Sequence, residues 1–376
     1  MRHGNAARRY LSLLVLTPLL LWAAAASAAD LHLAPRLEAK EDLSRVVPRT
    51  DGNTAVMRGG AIDRISTSGR ATRVATAEAN QTLILGDDGA TIGVVTHRDG
   101  AADFAPTATF ELIAADGQPI WTIGETEDVT YVISKTGTVV GMSLNINVAE
   151  RNRLHFYGSS GEQVAEISVP YLEGGRFDPA GEIFLSMSST EGLAAFDAHG
   201  AEIWYTPDVR LFAATAGAKE VAVLGQSGLR LLREGQVVAT HDLGGLLVRR
   251  LAIAPDASRV AIAAKHEIRV YRGTDLLQLW DAWLETEHLA YTSIDIASAG
   301  GWVLAGVARD LGRGAPAEER HPDGEIRAYD AAGHVQHRAA MTFPAWNIFT
   351  PTVRLDATGK AATVSTRRAV YHTVLP

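Results

Sequence analysis

Two kinds of short hairpin alternate along almost the whole chain, and this alternation limits the folds that the chain can adopt. The first kind is an apolar strand, a turn and a second strand of small or β-branched residues, as in "LAIAPDASRVAIAA" (251–264). The second kind is a strand that ends in an Asp, Gly or Ser turn, followed by a strand that often carries an aromatic or charged residue, as in "AAFDAHGAEIW" (194–204). Short strands separated by such turns predict an all-β fold.

Each kind of hairpin occurs seven times, in strict alternation. The first kind occupies residues 82–95, 131–144, 176–188, 211–225, 251–264, 294–307 and 353–365. The second kind occupies residues 61–76, 110–123, 154–167, 192–206, 229–243, 268–282 and 326–340. A period of roughly 40 residues is that of a four-stranded propeller blade. We therefore expect strands A and B of each blade to come from the first kind and strands C and D from the second.

The two ends of the chain can complete one blade together, because the repeat begins with a hairpin of the second kind and ends with one of the first. We expect the pair at 353–365 to join the pair at 61–76. Such pairing of N- and C-terminal strands removes the free edges of an open ring. The sequence thus predicts a seven-bladed β-propeller. Eight blades are the alternative, since "AVYHTV" (369–374) is a further C strand that competes with "AIDRIS" for the same place.

The first thirty residues differ in character from the repeat. Three arginines precede the apolar run 11–26, and Ala26-Ser27-Ala28 has the small-x-small pattern that signal peptidase cleaves. We expect a signal peptide over residues 1–28, a linker over 29–52 and the propeller over 53–376, and hence an exported protein, periplasmic or secreted. The alternative is an uncleaved membrane anchor, the one case in which we expect contact with a membrane.

Composition excludes several function classes. The chain contains no cysteine, which rules out disulfides, thiolate metal sites and covalent c-type haem. Its net charge of −8 falls to about −11 without the three arginines of the signal segment, and an acidic chain argues against a nucleic-acid partner. No HExxH, GxSxG or GxxxxGK[ST] motif is present. We expect no metal, no cofactor and no recognisable catalytic set.

Two stretches resemble repeats of known propeller families. "LAIAPDASRVAIAA" followed by "IRVYR" resembles the WD40-like pattern, and Gly200 with Trp204 resembles the tryptophan-docking motif of quinoprotein-like (PQQ-like) repeats, a spacing that Gly117 and Trp121 share. The resemblance implies that these tryptophans pack between blades. It implies no activity, because quinoprotein dehydrogenases are longer and have adjacent cysteines near the quinone.

Basic residues recur in the loops that follow strand B. The B–C and D–A connections of a propeller share one face, and loops on a rigid scaffold more often carry function than the strands do. A ring of cations there would attract an anionic ligand or an acidic partner loop. The candidate ligand-binding residues are His97, Arg98, Arg151, Arg153, Lys265, His266, Arg309, Arg367, Arg368 and the aromatic Trp346. The alternative is that these charges are solvated or paired with neighbours such as Glu150 and Glu267.

Two further segments offer weaker candidates. Trp283 in "LWDAWLETEHLAY" (279–291), like Trp346, either packs against neighbouring blades or presents an aromatic platform for a sugar or peptide. The insertion at 308–325 places His321 near Asp323, which we interpret as a solvated charge run rather than a metal site.

The sequence favours an exported, non-catalytic binding or scaffold module that recognises a protein or an anionic ligand on its loop face. The alternative is a propeller enzyme, a lyase, hydrolase or quinone-type oxidoreductase, acting at the channel mouth.

Overall fold

The computed structural model describes fourteen stretches of the chain that together hold 33 strands and one short 3-10 helix, Ala216–Ala218. The described residues are 29–39, 42–49, 51–97, 107–127, 130–143, 152–169, 172–188, 190–287, 289–298, 300–309, 323–342, 351–356, 358–366 and 368–376. Their strands form eight sheets of four antiparallel strands, and one of these sheets has a fifth strand at its edge.

The first four sheets use consecutive strands of the chain, in the order A, B, C, D. Blade 1 contains β3 (Leu43–Pro48), β4 (Thr54–Arg58), β5 (Ala61–Ile65) and β6 (Ala71–Thr76). Blade 2 contains β7 (Gln81–Leu85), β8 (Ile92–His97), β9 (Thr107–Ile113) and β10 (Pro119–Glu127). Blade 3 contains β11 (Thr130–Ile133), β12 (Val139–Ser143), β13 (Asn152–Tyr157) and β14 (Gln163–Val169). Blade 4 contains β15 (Gly174–Phe177), β16 (Phe184–Ser188), β17 (Gly192–Phe196) and β18 (Glu202–Thr206).

The remaining sheets follow the same order, and two of them also receive N-terminal strands. Blade 5 contains β19 (Leu211–Ala214), β20 (Glu220–Gly225), β21 (Gly228–Arg233) and β22 (Gln236–His241). Blade 6 contains β23 (Arg250–Ile253), β24 (Arg259–Ala263), β25 (Glu267–Arg272) and β26 (Gln278–Trp283). Blade 7 contains β27 (Leu289–Ile296), β28 (Val303–Arg309), β29 (Asp323–Tyr329), β30 (Val335–Thr342) and, parallel to β30, β1 (Ala29–Asp30). Blade 8 contains β31 (Thr352–Leu355), β32 (Ala361–Ser365), β33 (Ala369–Val374) and β2 (Ala34–Glu38).

The β-propeller is confirmed, and the eight-bladed alternative is the correct one. All fourteen hairpins supply strand pairs A–B or C–D as expected. The seven-bladed count is wrong because β33 is a C strand of its own, and β2 pairs with it as the outer D strand. The hairpin at 61–76 belongs to blade 1, where β3 and β4 supply strands A and B. Residues 29–52, expected to be a linker, contain β1, β2 and β3.

Each blade buries apolar side chains against the next blade, which is where the core of this fold lies. Among the described residues, eight buried clusters occur, one for each pair of successive blades. The cluster between blades 8 and 1 joins Val370 of β33 to Val56 of β4 and Ile65 of β5. Since roughly 25 cal/mol is gained per Å² of apolar surface buried, these clusters supply the main stabilisation of a protein that has no disulfide.

Three tryptophans of D strands pack against the C–D turn of the following blade. The pairs are Trp121 with Gly161, Trp204 with Gly235, and Trp280 with Gly333. Each glycine has a positive φ, and a Cβ on Gly235 would lie 2.4 Å from the Cβ of Trp204. Glycine is therefore required for two reasons: the turn needs a positive φ, and the tryptophan leaves no space for a side chain. The packing role that the PQQ-like resemblance implies for Trp121 and Trp204 is what the contacts show.

Gly235→Ala should destabilise the propeller more than Gly117→Ala does. Both residues lie in C–D turns with positive φ, so both variants incur about 1–2 kcal/mol of backbone strain. The space around Gly117 is open, whereas the new methyl at 235 meets Trp204, which adds about 1–3 kcal/mol of overpacking. Chemical denaturation of the two variants measures the difference. Equal losses would contradict the docking role of Trp204.

Candidate functional site

The two ends of the propeller axis carry different segments. The B–C and D–A connections lie at one end, called here the loop face. The A–B and C–D turns lie at the other end, called here the turn face. Successive A strands contact one another, for example β19 with β23 and β23 with β27, so they are innermost and line the axis. A site at either end is therefore built from several blades.

Six of the predicted ligand-binding residues lie in the described ranges, and all six are at the loop face. His97 and Arg309 end strands B, Arg153 lies in β13 one residue after its start, and Arg368 directly precedes β33. Lys265 and His266 form the connection between β24 and β25. The side chain of Arg309 lies outside what the structure describes, as do the whole residues Arg98, Arg151, Arg367 and Trp346.

The described contacts of these residues run within a blade or to its neighbour. His97 Nε2 lies 2.9 Å from Thr82 Oγ1. Arg153 pairs with Glu166 of the adjacent strand at 3.2 Å, and Arg368 Nε donates to Asp42 at 3.1 Å. His266 Nδ1 lies 2.7 Å from the Leu289 carbonyl oxygen. These contacts fix the loop ends rather than gather the cations at one point, so joint binding of an anion there stays a prediction.

Trp283 is the aromatic candidate that the structure describes, and it lies at the loop-face end of β26. Its side chain is 61% exposed, and the indole Nε1 donates to Asp281 at 3.0 Å. Trp283 is in register with Glu267, and the next N–H, of Leu284, donates to the His266 carbonyl oxygen. The exposed Trp283 thus lies at the edge of blade 6, and its backbone runs next to the connection that carries Lys265 and His266.

A charge network fastens the connection that follows Trp283 to blade 7. Glu285 accepts hydrogen bonds from Arg327 at 2.6 Å and from Arg338 at 2.7 Å. Arg327 is only 2% exposed and also pairs with Glu325. Burial tends to raise the pKa of Glu285, but the hydrogen bonds from the two arginines outweigh it and hold the pKa at about 2. Glu285 therefore stays ionised and keeps the Trp283 end of blade 6 in place.

A second set of charged residues, which the sequence analysis missed, lies in the innermost strands and in the A–B turns that follow them. We call it the axial group: Arg45, Asp87, Lys135, Arg176, Asp295 and Arg354. Arg176, Asp295 and Arg354 hold equivalent positions in their blades. Each lies two residues before the first residue of the A–B turn, whose backbone N–H donates to a carbonyl oxygen across the turn at 2.9 Å. Alignment of the first-kind hairpins at their turns would have shown these charges in otherwise apolar strands.

The charges of the axial group act on one another across the axis. Asp87 of blade 2 has its pKa raised by burial, and this is opposed by Arg45, Lys135 and Arg354 of three other blades. The pKa of Arg176 is lowered, chiefly by burial and further by Arg354. Arg176 is nonetheless solvent-exposed, which is the situation of a side chain that projects into a channel. Charged side chains of blades 1, 2, 3, 4 and 8 therefore lie close enough at the axis to affect one another.

A cavity of about 330 Å³ opens between blades 1, 2 and 3, and it brings one predicted residue close to the axial group. Its lining includes Arg45, Thr82, His97 and Thr130. His97 is thus the candidate of the loop face that shares a cavity with a charge of the axis.

In the described part of the chain, no three His, Asp or Glu side chains gather at metal-binding distance, and no helix is long and apolar enough to cross a membrane. The predicted charge run around His321 falls outside the described ranges, except that Asp323 begins β29.

The architecture is similar to that of solved propellers. The C-terminal WD40 domain of Sif2 is 11% identical with a TM-score of 0.60, and the match covers 93% of this chain and 99% of that one. BamB from Moraxella catarrhalis is 14% identical with a TM-score of 0.56, covering 90% and 96%. The computationally designed Ika8 protein is 14% identical with a TM-score of 0.58, covering 92% and 100%. These similarities confirm the resemblance to WD40-like and PQQ-like propellers at the level of the fold. The sequence matches no protein-family model and no curated protein.

Glu285→Gln should destabilise the protein at neutral pH and remove one component of its acid sensitivity. The pKa of Glu285 is depressed in the folded state from 4.5 to about 2, so its contribution is complete above pH 4.5 and is lost as the pH falls toward 2. Because half of the side chain is exposed, we expect a loss of only about 1 kcal/mol at pH 7. Unfolding free energies measured against pH should converge for wild type and variant in acid.

Glu202→Gln provides the control, since Glu202 is exposed at the start of β18 and has no ion pair among the described residues. A Glu285→Gln difference that stays constant from neutral pH into acid would refute the network.

Proposed function

We propose that this protein is an exported, non-catalytic binding module whose loop face recognises a protein partner. The observation that carries the proposal is Trp283, a large aromatic side chain 61% exposed at the loop-face edge of blade 6, where the backbone pairs next to the connection that carries Lys265 and His266. The interpretation as a propeller enzyme acting at the channel mouth stays the alternative from the sequence.

The surroundings of Trp283 suit it to partner recognition. Tryptophan and arginine dominate the residues that contribute most to protein–protein binding. The backbone at Trp283 is held by the β25–β26 ladder, and the connection that follows is held by Glu285. A side chain on a rigid base loses little conformational freedom when a partner binds, so more of the contact energy appears as affinity.

The N-terminal sequence supports export. Three arginines precede the apolar run 11–26, and Ala26-Ser27-Ala28 has the small-x-small pattern that signal peptidase cleaves.

Trp283→Ala should abolish or strongly weaken capture of the partner from an envelope extract. Truncating a residue of this class costs about 2 kcal/mol or more, which is roughly a thirtyfold loss of affinity. The measurement is affinity capture with purified wild type and variant, followed by titration of the captured protein. Leu279→Ala is the matched control, because Leu279 is 45% exposed on the same strand but nearer the turn face. Equal capture by wild type and both variants would count against a loop-face partner site at blade 6.

N-terminal sequencing of the protein recovered from the producing cell's envelope should read from Ala29. Ala28→Leu, which replaces the small residue before the cut, should leave the full chain uncleaved. A wild-type protein that starts at Met1 in the envelope would support the membrane-anchor alternative instead.

A further inference from the structure

We propose that the turn-face end of the channel is an oxyanion-binding site, in which Arg176 and Arg354 clasp the phosphate or carboxylate groups of a small polyanion from opposite sides. This site does not depend on the loop-face partner surface, because it lies at the other end of the axis.

The positions of the two arginines follow from the repeat. Arg176 is the third residue of β15 and Arg354 is the third residue of β31, and both strands are innermost in their blades. Blades 4 and 8 are half a turn apart in an eight-bladed ring, so equivalent positions on them face each other across the axis. The mutual effect of the two guanidinium charges agrees with this placement. Lys135 of blade 3 lies one residue into its A–B turn, and its charge acts on Asp87, as the charge of Arg354 does.

The carboxylates near these cations are already engaged. Asp87 pairs with Arg45. Asp295 accepts hydrogen bonds from the backbone N–H groups of Leu355 at 2.8 Å and Ile296 at 3.0 Å. Within the stretches that the structure describes, no carboxylate lies at ion-pair distance from Arg176, Arg354 or Lys135.

Arg176, Arg354 and Lys135 thus outnumber Asp87 and Asp295, the two carboxylates whose charges act on them, and both carboxylates already have other partners. Like charges repel more strongly among protein atoms than in bulk water, so a bound anion would relieve an unfavourable arrangement.

One of the arginines is held ready for a ligand. The Arg176 guanidinium lies over the Phe212 ring, 4.2 Å from its centroid, and donates to the Phe212 carbonyl oxygen. The two contacts with Phe212 use one face and one N–H group of the guanidinium, and its other N–H groups remain for an oxyanion. Guanidinium groups bind phosphate and carboxylate through paired N–H donors, whereas a halide offers no such geometry. The site therefore selects oxyanions with two or more charges.

Isothermal titration with pyrophosphate and with citrate tests the proposal, at one ionic strength balanced with KCl. Pyrophosphate and citrate separate a phosphate from a carboxylate ligand. We expect saturable binding of at least one of them to wild type, weakened roughly tenfold or more by Arg354→Gln and by Arg176→Gln. Arg354→Lys should restore part of the affinity, because it keeps the charge but loses the paired donors.

Arg70→Gln is the matched control, since it removes one exposed arginine from a C–D turn of the same face, away from the axis. It should bind as wild type does. The proposal is overturned if neither anion binds wild type, if Arg354→Gln and Arg176→Gln bind as tightly as wild type, or if Arg70→Gln weakens binding equally. Thermal unfolding of every variant without ligand separates lost binding from lost folding, and an Arg354→Lys variant that folds but does not bind better than Arg354→Gln would also refute the paired-donor geometry.

Discussion

The packing of each four-stranded sheet against the next is the interaction on which the rest of this structure depends. A single blade has two faces and cannot bury both alone, so apolar side chains such as Val56, Phe156 and Val270 become buried only when neighbours are present on each side. The tryptophan–glycine contacts make this packing directional, because a D-strand indole fits only where the following C–D turn has no side chain. The same packing sets the angle between blades and hence the positions of all inner strands around the axis.

Much of this architecture could be predicted from the sequence, because the residues that form a hairpin are close together in the sequence. Turn residues and strand residues lie within about fifteen positions of one another, and all fourteen predicted hairpins are present. The number of blades could not be obtained in that way. The decisive pairing joins Ala34–Glu38 to Ala369–Val374 across almost the full length of the chain, and no turn signal links them. Blade 1 was also incomplete in the prediction, since β3 falls within the expected linker and ends in Pro48.

The candidate site shows the same division between local and nonlocal information. That His97, Arg153, Lys265, His266 and Arg368 would share one face was predictable, because each lies beside the same end of a strand pair. Their partners were not, since Glu166 and Asp42 are brought to Arg153 and Arg368 by pairing in blades 3 and 8. The axial group depends on the blade count itself. Arg176 and Arg354 oppose each other only if three blades lie between them on either side, so a seven-bladed assignment hides the relation.

The placement of cations at the axis is notable in a chain of net charge −8, and it determines how an anion would be recognised. At physiological ionic strength, charges more than about 8 Å apart are largely screened, so the overall negative charge of the protein repels an approaching anion only weakly. Inside the channel the nearest charges dominate, and the positive charges of Arg176, Arg354 and Lys135 outnumber the negative charges of Asp87 and Asp295. Association would therefore gain little from long-range steering, and the affinity would have to come from direct, desolvated hydrogen bonds. Such a site favours small ligands that can enter the channel over acidic protein surfaces that cannot, which separates its chemistry from that of the exposed Trp283 at the other end of the axis.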